Sequence, residues 1–309
     1  AKSQNRDQGQ IERPASGIAS GAVVTLEDQD MTLRTILVCL TGEKSAAHLL
    51  RTAAVLARRD NAHVIGLYVT ESLVMYPGIA VHVPEVSYKG FIASQQAHAK
   101  EIKVIFDAFA KSEDFPTEWR KVSSESSFVA DSVIASARHV DLVVMAQDDD
   151  GEDHPQVNNF QERVIRECGR PVLVVPHDYS AEKLGENIVL GWSETREATR
   201  AMHDLINVAS PDANIRVLRI GKPPSNTLAD HGANDLAIAI ARHGPQVEIV
   251  HRDKDGEKIA NVLSHEAFEM GADMLVTGAF GHSRAYDFVI GAATRALLND
   301  AKLPVLFSK

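Results

Sequence analysis

Residues 273–308 read DMLVTGAFGHSRAYDFVIGAATRALLNDAKLPVLFS. Asp273 opens a short apolar run that ends at Gly278, further glycines follow at 281 and 291, and an alanine- and leucine-rich stretch leads to Pro304 and a second apolar run. Strand, loop, helix and strand in that order make a crossover unit between parallel strands. Met274–Val276 is apolar at consecutive positions, as a strand covered by helices on both faces requires.

The unit has a counterpart earlier in the chain. Asp141-Leu-Val-Val-Met-Ala146 answers Asp273-Met-Leu-Val-Thr-Gly278, and Arg170-Pro-Val-Leu-Val-Val-Pro176 answers Leu303-Pro-Val-Leu-Phe-Ser308. Farther out, Arg34-Thr-Ile-Leu-Val-Cys-Leu40 and Glu186-Asn-Ile-Val-Leu-Gly-Trp192 each open a series and precede an alanine-rich helix. The opening strands stand 152 residues apart (Ile36 against Ile188) and the closing ones 133 (Pro171 against Pro304), so the first copy carries about 19 extra residues. Pro77, Gly78, Pro84 and Gly90 place most of that excess in 71–95, which reads as a surface loop or lid.

The second copy predicts strands at 187–192, 215–220, 247–252, 273–278 and 304–308, with helices at 196–208, 232–243, 256–270 and 291–299. The first predicts strands at 34–40, 63–69, 117–122, 141–146 and 172–175, with helices at 45–58, 92–111, 126–139 and 158–168. Five strands alternating with four helices make one doubly wound α/β domain, so the expected organisation is a polar, disordered tail over 1–31, a first domain over 32–178 and a second over 185–309. The tail lacks the basic start and apolar core of a signal peptide.

The chain has 309 residues, with 32 Lys and Arg against 42 Asp and Glu, a formal charge of −10. That excess repels phosphate backbones and acidic lipid surfaces, so neither nucleic acid nor membrane is an expected partner. No run approaches the 18 apolar residues of a transmembrane helix. Cys39 and Cys168 show neither CxxC spacing nor the density of a secreted scaffold, and read as free thiols in a cytoplasmic protein. None of the 13 histidines falls in an HExxH or Cys/His pattern, and no metal site is expected. The acidic run Asp148–Asp153 beside His154 lacks the spacing of a calcium loop and reads as solvated surface.

Ligands of open α/β sheets bind beyond the carboxyl ends of the strands. The loop there in the second copy carries Gly278, Gly281, His282, Ser283 and Arg284 and enters a helix at Gly291-Ala292-Ala293-Thr294, where helix N–H groups favour an anion. His282 is a candidate phosphate contact beside Arg284, or a loop residue that orients backbone. No Gly-Lys-Ser/Thr follows the glycines, and no GxSxG elbow surrounds Ser283, so neither a vigorous ATPase nor a hydrolase is expected.

The Gly-x2-Gly-x9-Gly spacing at this junction, together with the repeat, resembles the universal stress protein (UspA) superfamily, in particular its tandem-domain members, across 32–309. The resemblance implies two tandem Rossmann-like domains of the adenine nucleotide alpha hydrolase-like type, each a five-stranded parallel sheet of order 3-2-1-4-5. In one branch of the family the glycine loop binds ATP, with magnesium as a companion ion. Carried onto this chain, Gly278 and Gly281 flank ribose and phosphates, with His282 and Ser283 on the loop between Gly281 and Gly291. Gly291 and the N–H groups of Ala292 and Ala293 meet the phosphates, and Thr294 offers a hydroxyl. Ala292 stands where that branch has Ser or Thr. Ser193, after Trp192, and Thr41 in the first copy stand where the family places an Asp near the adenine, which removes an acceptor for the amino group. The acidic run opposes an anionic ligand in the first copy. Family members commonly dimerise through the last strand, so 172–175 and 304–308 are expected to pair within the chain as an internal pseudo-dimer, with a homodimer as a further assembly. Three readings remain: a stress-response module that binds an adenine nucleotide in the second domain, a scaffold of the same fold acting by protein contacts, and an enzyme of slow ATP turnover.

Overall fold

The strands form where β-branched and leucine side chains run together without a break. In the computed structural model, which describes residues 33–71, 85–124, 128–147, 160–180, 182–221, 227–281 and 290–309, they lie at β1 (Thr35–Cys39), β2 (His63–Thr70), β3 (Thr117–Ser123), β4 (Leu142–Ala146), β5 (Val172–Val175), β6 (Asn187–Trp192), β7 (Asn214–Ile220), β8 (Gln246–Arg252), β9 (Met274–Gly278) and β10 (Val305–Ser308). Between them run α1 (Glu43–Asp60), α2 (Glu85–Ser112), α3 (Val129–Ala137), α4 (Phe160–Glu167), α5 (Arg196–Val208), α6 (Thr227–Ala241), α7 (Ile259–Met270) and α8 (Ile290–Asp300). The N-terminal tail, the acidic run 148–153 with His154, and His282, Ser283 and Arg284 lie outside the described residues.

All ten strands belong to one sheet, in the order β3-β2-β1-β4-β5-β10-β9-β6-β7-β8. Each half therefore has the expected order 3-2-1-4-5, the second reading inward from β8. Within each half every pair is parallel; β5 and β10 pair antiparallel, with Val174 opposite Val305 and Val172 opposite Phe307. The two short strands lie at the middle of the sheet, where each supplies the other's missing backbone partners.

The pleat sends alternate residues to two cores. Ile36, Val38, Ile188 and Leu190 pack on one face with α1, α2, α5 and α6. Leu37, Cys39, Val189 and Leu275 pack on the other with α3, α4, α7 and α8. Both clusters run from the first half into the second. The outer strands carry charge instead: β3 contributes Glu118, Arg120 and Lys121, and β8 contributes Glu248 and Arg252, which discourages further strand addition.

One expectation is corrected. The segment 71–95 is not wholly a loop, since α2 already begins at Glu85. Gly90 sits inside that helix, where an added Cβ would meet nothing within 4 Å, so it costs about 1 kcal/mol of propensity without breaking the helix. Ala99, Ile102 and Phe106, at helical spacing, bury one face of α2 and supply what the glycine lacks.

The halves start alike. Asp141 accepts from the backbone N–H groups of Arg34 and Thr35, each at 2.9 Å, and so fixes the entry to β1. Asp273 accepts from Gly185, Glu186 and Asn187 and fixes the entry to β6. Burial raises the Asp273 carboxyl above the ordinary range even though the three donors oppose it. Polar ties also cross the junction: Gln147 donates to the Ala301 carbonyl at 3.3 Å and the Tyr179 hydroxyl to the Asp273 carbonyl at 3.2 Å.

A sheet continuous through β5 and β10 should unfold as one unit. The two tryptophans report separately, Trp119 from β3 and Trp192 from β6. In Trp119→Phe and in Trp192→Phe, fluorescence of the remaining tryptophan and far-ultraviolet circular dichroism should therefore give the same midpoint within each variant. Phe307→Ala, which empties a fully buried position, should lower both midpoints together by about 3–5 kcal/mol of stability.

Candidate functional site

The glycine loop leaves β9 beside the start of α5. Thr195 caps that helix, its side chain accepting from the Ala198 N–H at 3.3 Å, and brings Glu197 in the first turn against the loop. A Cβ on Gly278 would lie 2.6 Å from the Ala198 nitrogen and 2.6 Å from the Glu197 carbonyl carbon. A Cβ on Gly281 would lie 3.1 Å from a Glu197 carboxylate oxygen. Both glycines thus admit the start of α5, a packing role alongside the ligand role expected of them.

Between them, Phe280 has left-handed backbone (φ 51°), which a residue with a bulky side chain adopts only where its surroundings hold it. Three contacts hold it. Its N–H donates to the Thr294 hydroxyl at 3.4 Å, its carbonyl accepts from Lys309 Nζ at 2.8 Å, and its ring lies under the Arg166 guanidinium of the first half, 3.6 Å from ring centre to carbon. Thr294 is buried, with its hydroxyl facing the loop backbone.

Glu197 is buried among cations. Its carboxylate accepts from Arg196 at 2.8 Å and from Lys309 at 3.3 Å. Burial pushes its pKa up, but Arg196, its own backbone N–H and Lys309 outweigh that and hold the carboxyl below its ordinary value. Two cations thus meet on this one carboxylate, despite the acidic chain.

At the far end of the loop, α8 opens toward solvent. A Cβ on Gly291 would meet nothing within 4 Å, Ala292 is exposed and Ala293 half-buried. The first amides of a helix have no intrahelical acceptor, so this end can receive an anion. The structure brings Gly278, Gly281, Gly291, Ala292, Ala293 and Thr294 to one loop and helix end. Trp192 packs partly into the core and Ser193 is exposed, 3.2 Å from the Thr195 hydroxyl. The sequence reading missed Glu197 and Lys309; a lysine at the exit of the last strand was the available signal.

In the first half Ala146 stands where Gly278 does, and Gln161 donates its side-chain amide to the Ala146 carbonyl at 3.2 Å. Among the described residues no group of three or more His, Cys, Asp or Glu side chains is placed to hold a metal ion, and no helix is long and apolar enough to cross a membrane.

The two ends of the loop should respond oppositely to one methyl group. Gly278→Ala should cost about 1–3 kcal/mol, because helix backbone cannot retreat as a side chain would. Gly291→Ala should be neutral or slightly stabilising in the same thermal melts. Glu197→Gln should remove part of the acid sensitivity: the lowered pKa contributes stability that is present above about pH 4.5 and lost as pH falls through the carboxylate range.

The model of the universal stress protein family matches twice, over residues 32–176 and 186–309. The universal stress protein Slr1230 of Synechocystis sp. is 23% identical over 293 residues, covering 89% of this chain and 99% of its own. Among solved structures, a universal stress protein from Archaeoglobus fulgidus superposes with a TM-score of 0.67 at 12% identity, over 90% of this chain and 97% of that one. A second, from Pseudomonas aeruginosa, gives 0.52 at 15% identity over 91% and 95%. With two family matches joined through one ten-stranded sheet, the chain belongs to the universal stress protein family as a tandem member.

Proposed function

We propose that the second half binds an adenine nucleotide through its phosphates, and that the protein acts in the stress response as a nucleotide-dependent signalling or assembly module. The observation that carries this reading is the open N-terminus of α8: Gly291 and Ala292 face free space at the end of the loop that leaves β9. ATP fits the residues present at its phosphate end. Gly291, Ala292 and Ala293 would hold phosphate oxygens by backbone N–H groups. At the base end Ser193 offers a hydroxyl in place of a carboxylate, which favours selection by phosphate over selection by base. His282, Ser283 and Arg284 belong to the same reading as loop contacts. A cytoplasmic location accords with two buried, free cysteines.

A second reading, a scaffold that acts by protein contacts without nucleotide, is favoured by a different observation. A side chain at Gly278 or Gly281 would meet the start of α5 or Glu197, so the first two glycines of the spacing are accounted for by packing alone.

One substitution separates the two. Ala292→Asp places a carboxylate at the exposed first turn of α8, where it opposes phosphate yet suits the helix dipole. On the nucleotide reading, millimolar Mg-ATP should raise the melting temperature of the wild type and leave Ala292→Asp unmoved, while the unliganded variant melts no lower than wild type. No shift in the wild type, and no adenine nucleotide released on denaturing fresh protein, would establish the scaffold.

A further inference from the structure

His48, in the second turn of α1, is 6% exposed, and His177, two residues past β5, is half-buried. The two rings adjoin edge to face, with centroids 6.1 Å apart and planes at 67°. Three buried side-chain nitrogen or oxygen atoms lack a hydrogen-bond partner among the described residues, and two of them are the Nε2 atoms of these rings. A neutral imidazole can leave one nitrogen unpaired there. An imidazolium adds an N–H and a full charge, and burial without an acceptor makes both costly. The surroundings do not offset that cost. The strands under α1 present apolar side chains to it, with Tyr68 of β2 as a neutral phenol. On α2, Glu101 is engaged by Glu43, with His98 beside it. The charges that act on His48 are, in falling order, His177, Arg51 and Asp178; the first two oppose a proton, and Asp178, exposed to water, favours it.

We propose that this ring pair is an acid-sensitive latch on the connection between the halves: while neutral it seats the start of that connection against α1, and on taking a proton it lets go. The connection runs from the end of β5 to the start of β6. Its later part is tied elsewhere, by the Tyr179 hydroxyl on the Asp273 carbonyl and by the Gly185 N–H on the Asp273 carboxylate. A proton at His48 therefore frees the stretch around His177 and the first turns of α1 while the pairing of β5 with β10 stays in place, a local opening that costs less than global unfolding. The sign is set by His48. Burial lowers its pKa first and most, His177 and Arg51 add to that, and the Lys44 backbone and Asp178 oppose. The folded state thus holds the ring neutral, so the stability of this contact is fully present above the ordinary histidine value of 6.5 and is lost as pH falls below it.

The test follows the histidine ring resonances of the full chain by NMR as the pH is lowered. The His48 resonance, assigned by its loss in His48→Leu, should titrate below the ordinary histidine value, and Arg51→Gln and His177→Gln should each move it back up. Hydrogen exchange, corrected for the intrinsic rate, should show the amides of the first turns of α1 and of Tyr179 losing about tenfold in protection between about pH 7.5 and 5.5, the factor that one unit of pKa depression supplies, while β1 and β10 keep theirs. In His48→Leu that loss should disappear, and at about pH 8 the variant should melt no lower than the wild type, because the orphaned nitrogen leaves with the ring. Arg51 is exposed, so Arg51→Gln keeps the test decisive if His48→Leu does not fold. A His48 resonance that titrates at the ordinary value, protection that falls equally in His48→Leu, or protection lost across the whole sheet rather than at this contact would each overturn the latch.

Discussion

The antiparallel pairing of β5 with β10 is the constraint on which the rest of the structure depends. Each strand has four residues and would otherwise present a row of unpaired amides and carbonyls beside an apolar core. Paired, they carry two five-stranded sheets into one and let both helix layers run across the junction. Because the pairing is antiparallel, the carboxyl ends of β5 and β10 point in opposite directions. The loop of one half consequently meets the helix end of the other: Arg166, near the end of α4, covers Phe280, and Gln147, past β4, reaches the carbonyl of Ala301 beyond α8.

The halves are related closely enough that residues 133 apart can be compared at the junction, and the comparison shows where they have diverged. Glu162 and Arg295 are equivalent positions, and they pair with each other across it at 2.6 Å. Two copies of one half would set like charges there, so the pair favours first half against second over either with itself, at an energy kept small by solvent. Gln161 and Thr294 are the next equivalent pair. Both secure the segment leaving the fourth strand of their own half, one by donating to Ala146 and the other by accepting from Phe280.

Strands and repeat were legible in the sequence because the signal is local: a strand covered on both faces must be apolar at consecutive positions, and Ile36–Val38 and Ile188–Leu190 are. Gly90 misled because a glycine marks a turn only where the backbone needs its freedom, and in α2 it does not. Gly278 and Gly281 stand out by their spacing, but what they face was hidden, since Glu197 lies some 80 residues earlier in the chain.

Lys309 joins these levels. It follows β10, whose backbone pairs with β5 on one side and β9 on the other, and its ammonium reaches both the Phe280 carbonyl and the Glu197 carboxylate. The left-handed Phe280, the lowered pKa of Glu197 and the end of the junction strand therefore share one cation. On the proposed nucleotide reading, an anion that reached this ammonium would compete with Glu197 for it and with the backbone of Phe280, whose ring is in turn held by the first half through Arg166. The cost of displacing a buried carboxylate's partner is large compared with that of an exposed pair. A ligand that drew on Lys309 would thus not be felt locally alone, because the contacts of that ammonium hold the loop to α5 and to β10, and Phe280 links it to the opposite half.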